Sequence, residues 1–287
     1  MRFPKIYVEI TNVCNLRCSF CRGTERAAAF LDPDVFRGYA REVKKHADYV
    51  YLHVLGEPLL HPRLDEIMDA AAAEGLRVCL TTNGTLFHKK MDILRARAES
   101  LYKISISLHA HEGNTESAMG ASLEDYVRGA AKSAKELGRL GVIAVLRLWN
   151  GDNPDAVVPA KNTGNERVLG ILREIFPGEW TPNRRGQKLG EGVYLEWGDK
   201  FDWPTDDGTL PDSGPRAHCF AMKDHVAVLV DGRVIPCCID CDGRMELGNL
   251  KEKSLAEILS DAPATEFRRK LAEGCLDYPL CRHCNFK

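Results

Sequence analysis

The sequence predicts an α/β protein in which helices cover a parallel sheet, followed by a small cysteine-rich region. Strand-like apolar runs alternate with helical segments across residues 1–200, whereas residues 201–218 show neither periodicity. Three of the eleven cysteines lie within residues 14–21, and seven fall after residue 218. We therefore predict a core domain at 1–200, a connector at 201–218 and a second domain at 219–287, with separate cysteine sites.

Six apolar runs are predicted to form the strands of the core sheet, because turn or helix signals bound each of them. In chain order they are residues 5–11, 49–55, 76–82, 103–109, 142–149 and 192–197. Helices are predicted where capping residues and prolines mark a start. Asp32 with Pro33 begins one helix, Pro62 begins another that stops at Gly75, and Ser122 begins a third.

Composition and charge exclude several classes of protein. The chain has 287 residues, 44% of them apolar, with a net charge of −2, so we expect neither a nucleic-acid partner nor a membrane partner. Its first residues lack the pattern of a signal peptide, which predicts a soluble cytoplasmic protein. In that compartment, cysteines bind metals or carry out chemistry more often than they form disulfides.

Polar segments follow each predicted strand at its carboxyl end, where sites gather in parallel α/β folds. These segments are the cysteine loop, Gly56-Glu57-Pro58, the turn at Asn83, and the polar ends of the last three strands. We expect them to surround one pocket with the three thiols on its rim. Of the two histidines at this edge, His53 and His109, we expect core or rim positions with hydrogen bonds rather than metal binding.

Three cysteines, Cys14, Cys18 and Cys21, lie in the loop after the first strand. Three thiolates suit an iron–sulfur cluster in which one iron has no protein ligand. The spacing, together with the aromatic residue Phe20 before the third cysteine, resembles the cluster motif of the radical S-adenosylmethionine (SAM) superfamily. The resemblance extends through the strand-2 segment Gly56-Glu57-Pro58, although Leu55 stands where the family usually has glycine.

That resemblance implies a partial (β/α)6 TIM-like barrel whose 4Fe–4S cluster binds SAM at the open iron. Reductive cleavage of SAM then gives a 5′-deoxyadenosyl radical that takes a hydrogen atom from substrate. By position, backbone carbonyls of Gly56, Glu57 and Pro58 would meet the SAM amino group. Ser107 and Arg147 are candidates for contacts to the ribose and the methionine carboxylate.

Purely structural roles stay open for three of these residues. Ser107 also suits a small strand position, Arg147 a solvated strand end, and Asn83 a turn rather than the cofactor site. Strand alternation points Tyr194 and Glu196 towards the pocket. We predict that Glu196 accepts a proton, with Tyr194 beside it. Placing a carboxylate in a barrel mouth costs free energy, which favours a catalytic role for it.

The cysteines after residue 218 resemble the SPASM and twitch extensions of radical SAM enzymes. Asp231-Gly232 between two apolar runs predicts a hairpin, and a short helix and a Cys-x-x-Cys pair follow it. The resemblance implies one auxiliary 4Fe–4S cluster, held by Cys219, Cys237, Cys281 and Cys284. Roles for Cys238, Cys241 and Cys275 stay open, as does a zinc site built from Cys238, Cys241, Cys281 and Cys284.

The resemblance implies a reductant such as flavodoxin or ferredoxin. Proteins of this kind act on peptides as well as on small molecules, and we expect a small polar substrate here, for example an alcohol, a sugar or a modified nucleoside. Dehydrogenation and a lyase reaction are both consistent with it. A peptide or protein maturase is the first alternative, although the first predicted strand begins at residue 5 and leaves no room for a leader-binding domain. A non-catalytic iron–sulfur or zinc protein, acting as a redox sensor or assembly partner, is the second.

Overall fold

The structure is a computed structural model that describes residues 1–149, 164–198, 202–205, 210–215 and 218–284. Its strands are β1 (Ile6–Val8), β2 (Tyr49–Tyr51), β3 (Arg77–Thr82), β4 (Leu101–Ser107), β5 (Ile143–Trp149), β6 (Thr181–Asn183), β7 (Gly186–Gly190), β8 (Val193–Gly198), β9 (Ala227–Val228), β10 (Arg233–Ile235) and β11 (Gly248–Asn249). Its helices are α1 (Pro33–His46), α2 (Leu64–Ala73), α3 (Phe87–Ala96), α4 (Glu116–Met119), α5 (Leu123–Arg139), α6 (Gly164–Ile175), α7 (Leu255–Ser260), α8 (Ala262–Ala272) and α9 (Pro279–Arg282). Two 3₁₀ turns span Pro58–Leu60 and Leu108–Gly113.

The described strands form one sheet in the order β11-β10-β9-β1-β2-β3-β4-β5-β8-β7-β6. Strands β1, β2, β3, β4, β5 and β8 lie side by side in that order and run parallel to one another, as the six predicted runs require. The antiparallel pair β6 and β7 continues the sheet beyond β8. Strand β9 runs parallel to β1 on the other side, so the second region joins the core sheet directly. The predicted α/β fold, a partial barrel with a small C-terminal domain, is confirmed.

Capping explains where the main helices begin. The Asp32 side chain accepts a hydrogen bond from the Asp34 N–H at 2.8 Å, and Pro33 follows in the first turn of α1. In the same way the Ser122 hydroxyl accepts from the Asp125 N–H at 3.1 Å and starts α5. These two predicted starts are confirmed, whereas α2 begins at Leu64, slightly after the predicted start.

Alternation along the strands separates an apolar layer from a polar one. Ile104 and Ile106 of β4 are fully buried in the core beneath the helices. Ser105 and Ser107 lie on the opposite face, which lines the inside of the partial barrel. The register continues this inner row across the sheet, pairing Ser107 with Arg147 and Arg147 with Glu196. Polar side chains are thereby collected inside the barrel.

Several features differ from the sequence prediction. Strand β1 ends at Val8 rather than at residue 11, and helices α3 and α4 were not among the helices predicted. Strand β2 ends at Tyr51 rather than at residue 55, and beyond it the Leu55 N–H donates to the Glu9 carboxylate at 3.2 Å instead of to a neighbouring strand. Helix α6 and the β6–β7 hairpin were not predicted. The predicted connector lies partly outside the described residues. None of the described helices has the length and hydropathy that a membrane span requires.

Candidate active site

A cavity of about 540 Å³ lies at the carboxyl ends of the parallel strands. The loop after β1 supplies one wall with all three predicted thiols, and the segments after β2, β3 and β4 supply the others. Residues lining the cavity include Cys14, Cys18, Phe20, Cys21, His53, Gly56, Glu57, Asn83, Ser107, His109 and Trp203. The structure therefore brings together most of the residues predicted for the first cluster and for SAM.

Two of the three thiols, those of Cys14 and Cys18, accept hydrogen bonds of the kind that surround metal-binding sulfur. Asn114 Nδ2 donates to Cys18 Sγ at 3.0 Å, and the Leu16 N–H donates to Cys14 Sγ at 3.5 Å. Burial raises the pKa of the Cys14 thiol to about 11. A bound iron ion would compensate the buried thiolate charge. This donor set fits an iron–sulfur cluster with three protein ligands.

Gly56 allows the strand-2 loop to approach the start of the cysteine loop. Its φ angle of +74° lies in the left-handed region, and a Cβ atom there would lie 2.4 Å from the Thr11 carbonyl oxygen. The neighbouring Glu57 N–H donates to the Val13 carbonyl at 2.9 Å. Glycine is therefore required at this position for two independent reasons.

We expect Gly56→Ala to destabilise the fold and to weaken SAM binding. The left-handed backbone alone costs about 1–2 kcal/mol for a residue with a Cβ, and the contact with Thr11 adds to it. Gly120→Ala is the matched control, since Gly120 has a φ of +69° with nothing within 4 Å of its Cβ position. Urea unfolding and equilibrium SAM binding measure the two effects. Equal unfolding midpoints for the two variants would contradict the close-contact explanation.

Glu57 is buried and joins two loops of the site. Its carboxylate accepts hydrogen bonds from the Leu59 N–H at 2.9 Å, the Thr82 hydroxyl at 2.7 Å and the Asn83 N–H at 2.7 Å. Burial raises its pKa to about 7, although these three hydrogen bonds act in the opposite direction. Glu57 thus fixes the turn at Asn83 relative to the strand-2 loop.

Aromatic rings support the cysteine loop from one side. Phe20 packs edge-on against Trp149 with centroids 4.2 Å apart, and the His109 ring stacks on Trp149 at the same distance. His109 Nδ1 also lies 3.3 Å from the Arg147 carbonyl oxygen, as expected for a hydrogen-bonded rim histidine. Gly113 leaves room for Phe20, because a Cβ there would lie 2.7 Å from the ring.

Arg147, Tyr194 and Glu196 share the inward face of β5 and β8 but are not among the described lining residues of the cavity. Burial lowers the pKa of the Arg147 guanidinium, and the Glu196 carboxylate acts in the opposite direction. Lys103 Nζ lies 3.9 Å from Glu196 Oε1. Glu196 therefore lies near two cationic side chains inside the barrel.

An ion pair that the sequence prediction missed connects the first site to the second region. The Glu9 carboxylate is fully buried and accepts two hydrogen bonds of 2.7 Å from the Arg26 guanidinium. The Glu9 carboxylate also accepts hydrogen bonds from two backbone N–H groups. One belongs to Leu55, the residue before Gly56, and the other, at 3.0 Å, belongs to Val230 in the C-terminal hairpin. A carboxylate within the first apolar run was the signal that could have revealed this residue.

The second cysteine site lies in the C-terminal region. All four predicted ligands, Cys219, Cys237, Cys281 and Cys284, line one cavity, whose other walls include Phe267, Leu276 and Leu280. The Ala221 N–H donates to Cys219 Sγ at 3.4 Å, and the Ile239 N–H donates to Cys237 Sγ at 3.5 Å. These contacts repeat the geometry seen at Cys14, so this donor set also fits a cluster.

The two sites are neighbours in the structure. In the described part of the connector, Trp203 lines the first cavity and Pro204 lines the second. Arg22, just after the cysteine loop, donates to the Pro204 carbonyl at 2.8 Å and forms an ion pair with Asp242 at 3.2 Å. Sequence reasoning missed Trp203 and Asn114, since neither belongs to a spacing motif.

Comparison with known proteins agrees with this geometry. The profile of the radical SAM superfamily matches residues 8–160, and the SPASM profile, described as an iron–sulfur cluster-binding domain, matches residues 219–285. A tungsten-containing aldehyde ferredoxin oxidoreductase cofactor-modifying protein from Pyrococcus furiosus is 32% identical, over 98% of this chain and 87% of its own length. An S-adenosyl-L-methionine-dependent 2-deoxy-scyllo-inosamine dehydrogenase from Niallia circulans is 24% identical, over 99% of this chain and 93% of its own length.

Solved structures share the fold. BtrN in complex with AdoMet and 2-DOIA superposes with a TM-score of 0.58 at 20% identity, covering 99% of this chain and 94% of that one. Tagged anSMEcpe with bound AdoMet gives a TM-score of 0.60 at 13% identity, covering 97% of this chain and 84% of that one. The two profiles make SAM, a 4Fe–4S cluster and an auxiliary iron–sulfur cluster the cofactors of this chain. The chain belongs to the radical SAM superfamily of enzymes and carries a C-terminal SPASM domain.

Proposed function

We propose that this radical SAM enzyme abstracts hydrogen from a small polar substrate, with dehydrogenation or a lyase reaction as the outcome. The observation that carries this is the charged group of Lys103, Arg147 and Glu196 on the inward face of the barrel. Charged side chains inside a barrel cost free energy unless they are paired or bind a polar ligand. The relative from Niallia circulans, similar over almost its whole length, is named as a dehydrogenase of a small polar molecule.

We assign the first cluster to Cys14, Cys18 and Cys21. SAM is held by Gly56, Glu57, Pro58, Asn83 and Ser107. Phe20 supports the cysteine loop. All of these residues except Pro58 are among the described lining residues of the cavity. Once bound, the cluster and SAM supply the radical that removes a hydrogen atom from carbon. The chain itself positions the substrate carbon, excludes water and moves protons.

Arg147 was predicted from its position to contact the SAM carboxylate. Its electrostatic partner in the structure is Glu196, which favours a position close to the substrate. We retain Arg147 as a cofactor contact in the proposal and give it the added task of holding the Glu196 carboxylate. Tyr194 lies on the same inward face of β8 and serves as a neighbouring hydrogen-bond donor.

We assign the second cluster to Cys219, Cys237, Cys281 and Cys284, because these four line one cavity while Cys238, Cys241 and Cys275 do not line it. The chain is divided into a core domain at 1–200, a connector at 201–218 and the auxiliary cluster domain at 219–287. Iron and sulfide analysis separates this cluster from the alternative zinc site. A reductant such as flavodoxin or ferredoxin supplies the electrons.

Glu196→Gln is expected to bind and cleave SAM but to form little product. The amide keeps the size of the side chain and loses the proton acceptor, a change that lowers rates by roughly 10²–10⁴-fold where a general base acts. The measurement is the ratio of product to 5′-deoxyadenosine by mass spectrometry. Glu191→Gln, at an exposed residue preceding β8, is the control. Unchanged turnover in Glu196→Gln would remove this residue from the mechanism.

The experiment that tests the function begins with anaerobic reconstitution, followed by reduction in the presence of SAM. Formation of 5′-deoxyadenosine is the expected result, and its absence with several reductants would favour a non-catalytic protein. Small amino alcohols, sugars and nucleosides labelled with deuterium on carbon are then offered, with peptides as a separate set. Deuterium in 5′-deoxyadenosine identifies the substrate class, and transfer from peptides alone would overturn the small-molecule proposal.

A further inference from the structure

His225 lies just before β9, and within the described structure neither of its ring nitrogens makes a hydrogen bond of standard geometry, although the ring is close enough to interact with the Cys237 thiol. The residue is only 8% exposed, and both ring nitrogens are buried. An unpaired polar group in a protein interior costs free energy, so such groups in native proteins usually have a partner. The position of His225 therefore calls for an acceptor or a ligand close to its ring.

Two sulfur atoms lie beside this imidazole. A ring nitrogen of His225 and the Sγ atoms of Cys237 and Cys238 all lie within 4.8 Å of one another. The hairpin fixes this arrangement, because β9 and β10 pair Ala227 with Ile235 and thereby bring the residues on either side of the hairpin together. Of these three residues, Cys237 is the one that is also among the described lining residues of the second cluster cavity.

The rest of the His225 ring is held by apolar and aromatic contacts. Tyr7 of β1 packs edge-on against it, with centroids 5.3 Å apart at 75°. Cys238 packs against the apolar group of Ala227, Leu229 and Ile235. The ring is therefore held in place between the core sheet and the cysteine pair of the hairpin.

We propose that His225 donates an N–H hydrogen bond to the Cys237 sulfur when that sulfur binds the second cluster, and that this bond raises the reduction potential of the cluster. The inference rests on the assignment of Cys237 given under the proposed function. A donor to a ligating sulfur withdraws electron density from it and stabilises the reduced cluster, which is one of the ways proteins set such potentials. His225 is thus a positioning and tuning residue rather than a catalytic one.

The test measures the midpoint potential of the second cluster by redox titration followed by electron paramagnetic resonance. The full-length Cys14→Ala/Cys18→Ala/Cys21→Ala variant serves as the background, so that only the second cluster contributes to the signal. We expect His225→Leu to shift the midpoint to a more negative potential with iron and sulfide unchanged. His225→Gln keeps an N–H donor and is expected to restore most of the shift.

His53→Leu is the matched control. His53 also packs edge-on against Tyr7, with centroids 5.4 Å apart, but belongs to the strand-2 loop rather than to the hairpin. Loss of the His53 ring should leave the midpoint potential of the second cluster unchanged. A His53→Leu shift as large as that of His225→Leu would overturn the proposal, because a general change in packing would then explain both.

If His225→Leu fails to load a cluster, pulsed electron paramagnetic resonance of the background protein labelled with ¹⁵N-histidine provides the second test. Weak coupling that disappears in His225→Gln supports the hydrogen bond. Strong coupling, as from a directly bound nitrogen, or no coupling at all would overturn it. An unchanged midpoint in a fully loaded His225→Leu protein also overturns it, whereas a Cys237→Ala protein that keeps its second cluster refutes the ligand assignment instead.

Discussion

Simultaneous replacement of Cys14, Cys18 and Cys21 by alanine is expected to remove one cluster and all SAM cleavage while the second cluster remains. The three thiols line the cavity at the barrel mouth, and the four C-terminal thiols line another. Within the described part of the chain no cysteine lines both, so loss of one site leaves the other ligand set intact. Iron, sulfide and 5′-deoxyadenosine are measured on the same anaerobically reconstituted sample, where the expected loss is half the iron and all of the nucleoside.

The control for this variant is Cys79→Ala. Cys79 is a buried thiol of β3 that lines neither described cavity, so its loss should leave both clusters and SAM cleavage in place. A triple variant that contained no iron at all would refute the model of two independent sites. A triple variant that still cleaved SAM would show that the first cluster is held elsewhere.

Cys281→Ala and Cys284→Ala are expected to make the C-terminal segment sensitive to proteases and to abolish substrate binding. A structural metal site contributes on the order of 10 kcal/mol to folding, which is comparable to the whole stability of a domain. Loss of either ligand removes this contribution at the cavity that Phe267, Leu276 and Leu280 also line. Limited proteolysis with mass spectrometry should locate the new cleavage sites after β11, while the barrel resists.

Cys275→Ala is the matched control, because Cys275 belongs to the same segment but does not line the described cavity. It should keep its second cluster and its resistance to proteases. A Cys284→Ala protein that folds, cleaves SAM and stops before an oxidised product would indicate that the second cluster is an electron acceptor instead. A Cys284→Ala protein that retains the whole cluster would show that other thiols bind it, and Cys241 or Cys275 would be tested next.

Local patterns predict the barrel well, since its strands and caps are encoded by adjacent residues. Ile104 and Ile106 alternate with serines, and Asp32 precedes Pro33, so both strand and helix follow from short segments. The β6–β7 hairpin gave no such signal, because Thr181–Asn183 is exposed throughout and has no apolar face. Strand β2 was predicted too long because its apolar run continues to Leu55, whereas the Leu55 N–H bonds to Glu9, a partner distant in sequence.

The residues of the candidate site also fall into two groups, those that short sequence patterns predict and those that only tertiary packing brings to the site. Cysteine spacing predicted both thiol groups, which the structure places around two cavities. Asn114 reaches Cys18 across 96 positions of sequence, and Trp203 enters from the connector. Neither contact has a local signature, since tertiary packing alone brings Asn114 to Cys18 and Trp203 to the cavity. The role of Glu196 stays a prediction.

The parallel pairing of β1 with β9 has a consequence for synthesis of the chain. Tyr7 pairs with Ala227, so the two strands are separated by about 220 residues. At roughly 5–20 residues per second, the ribosome needs about 10–45 seconds between them. During that interval one side of β1 has no strand beside it, and its backbone groups are open to pairing with another chain. Growing chains that crowd on one messenger are therefore most prone to misassembly before the hairpin emerges.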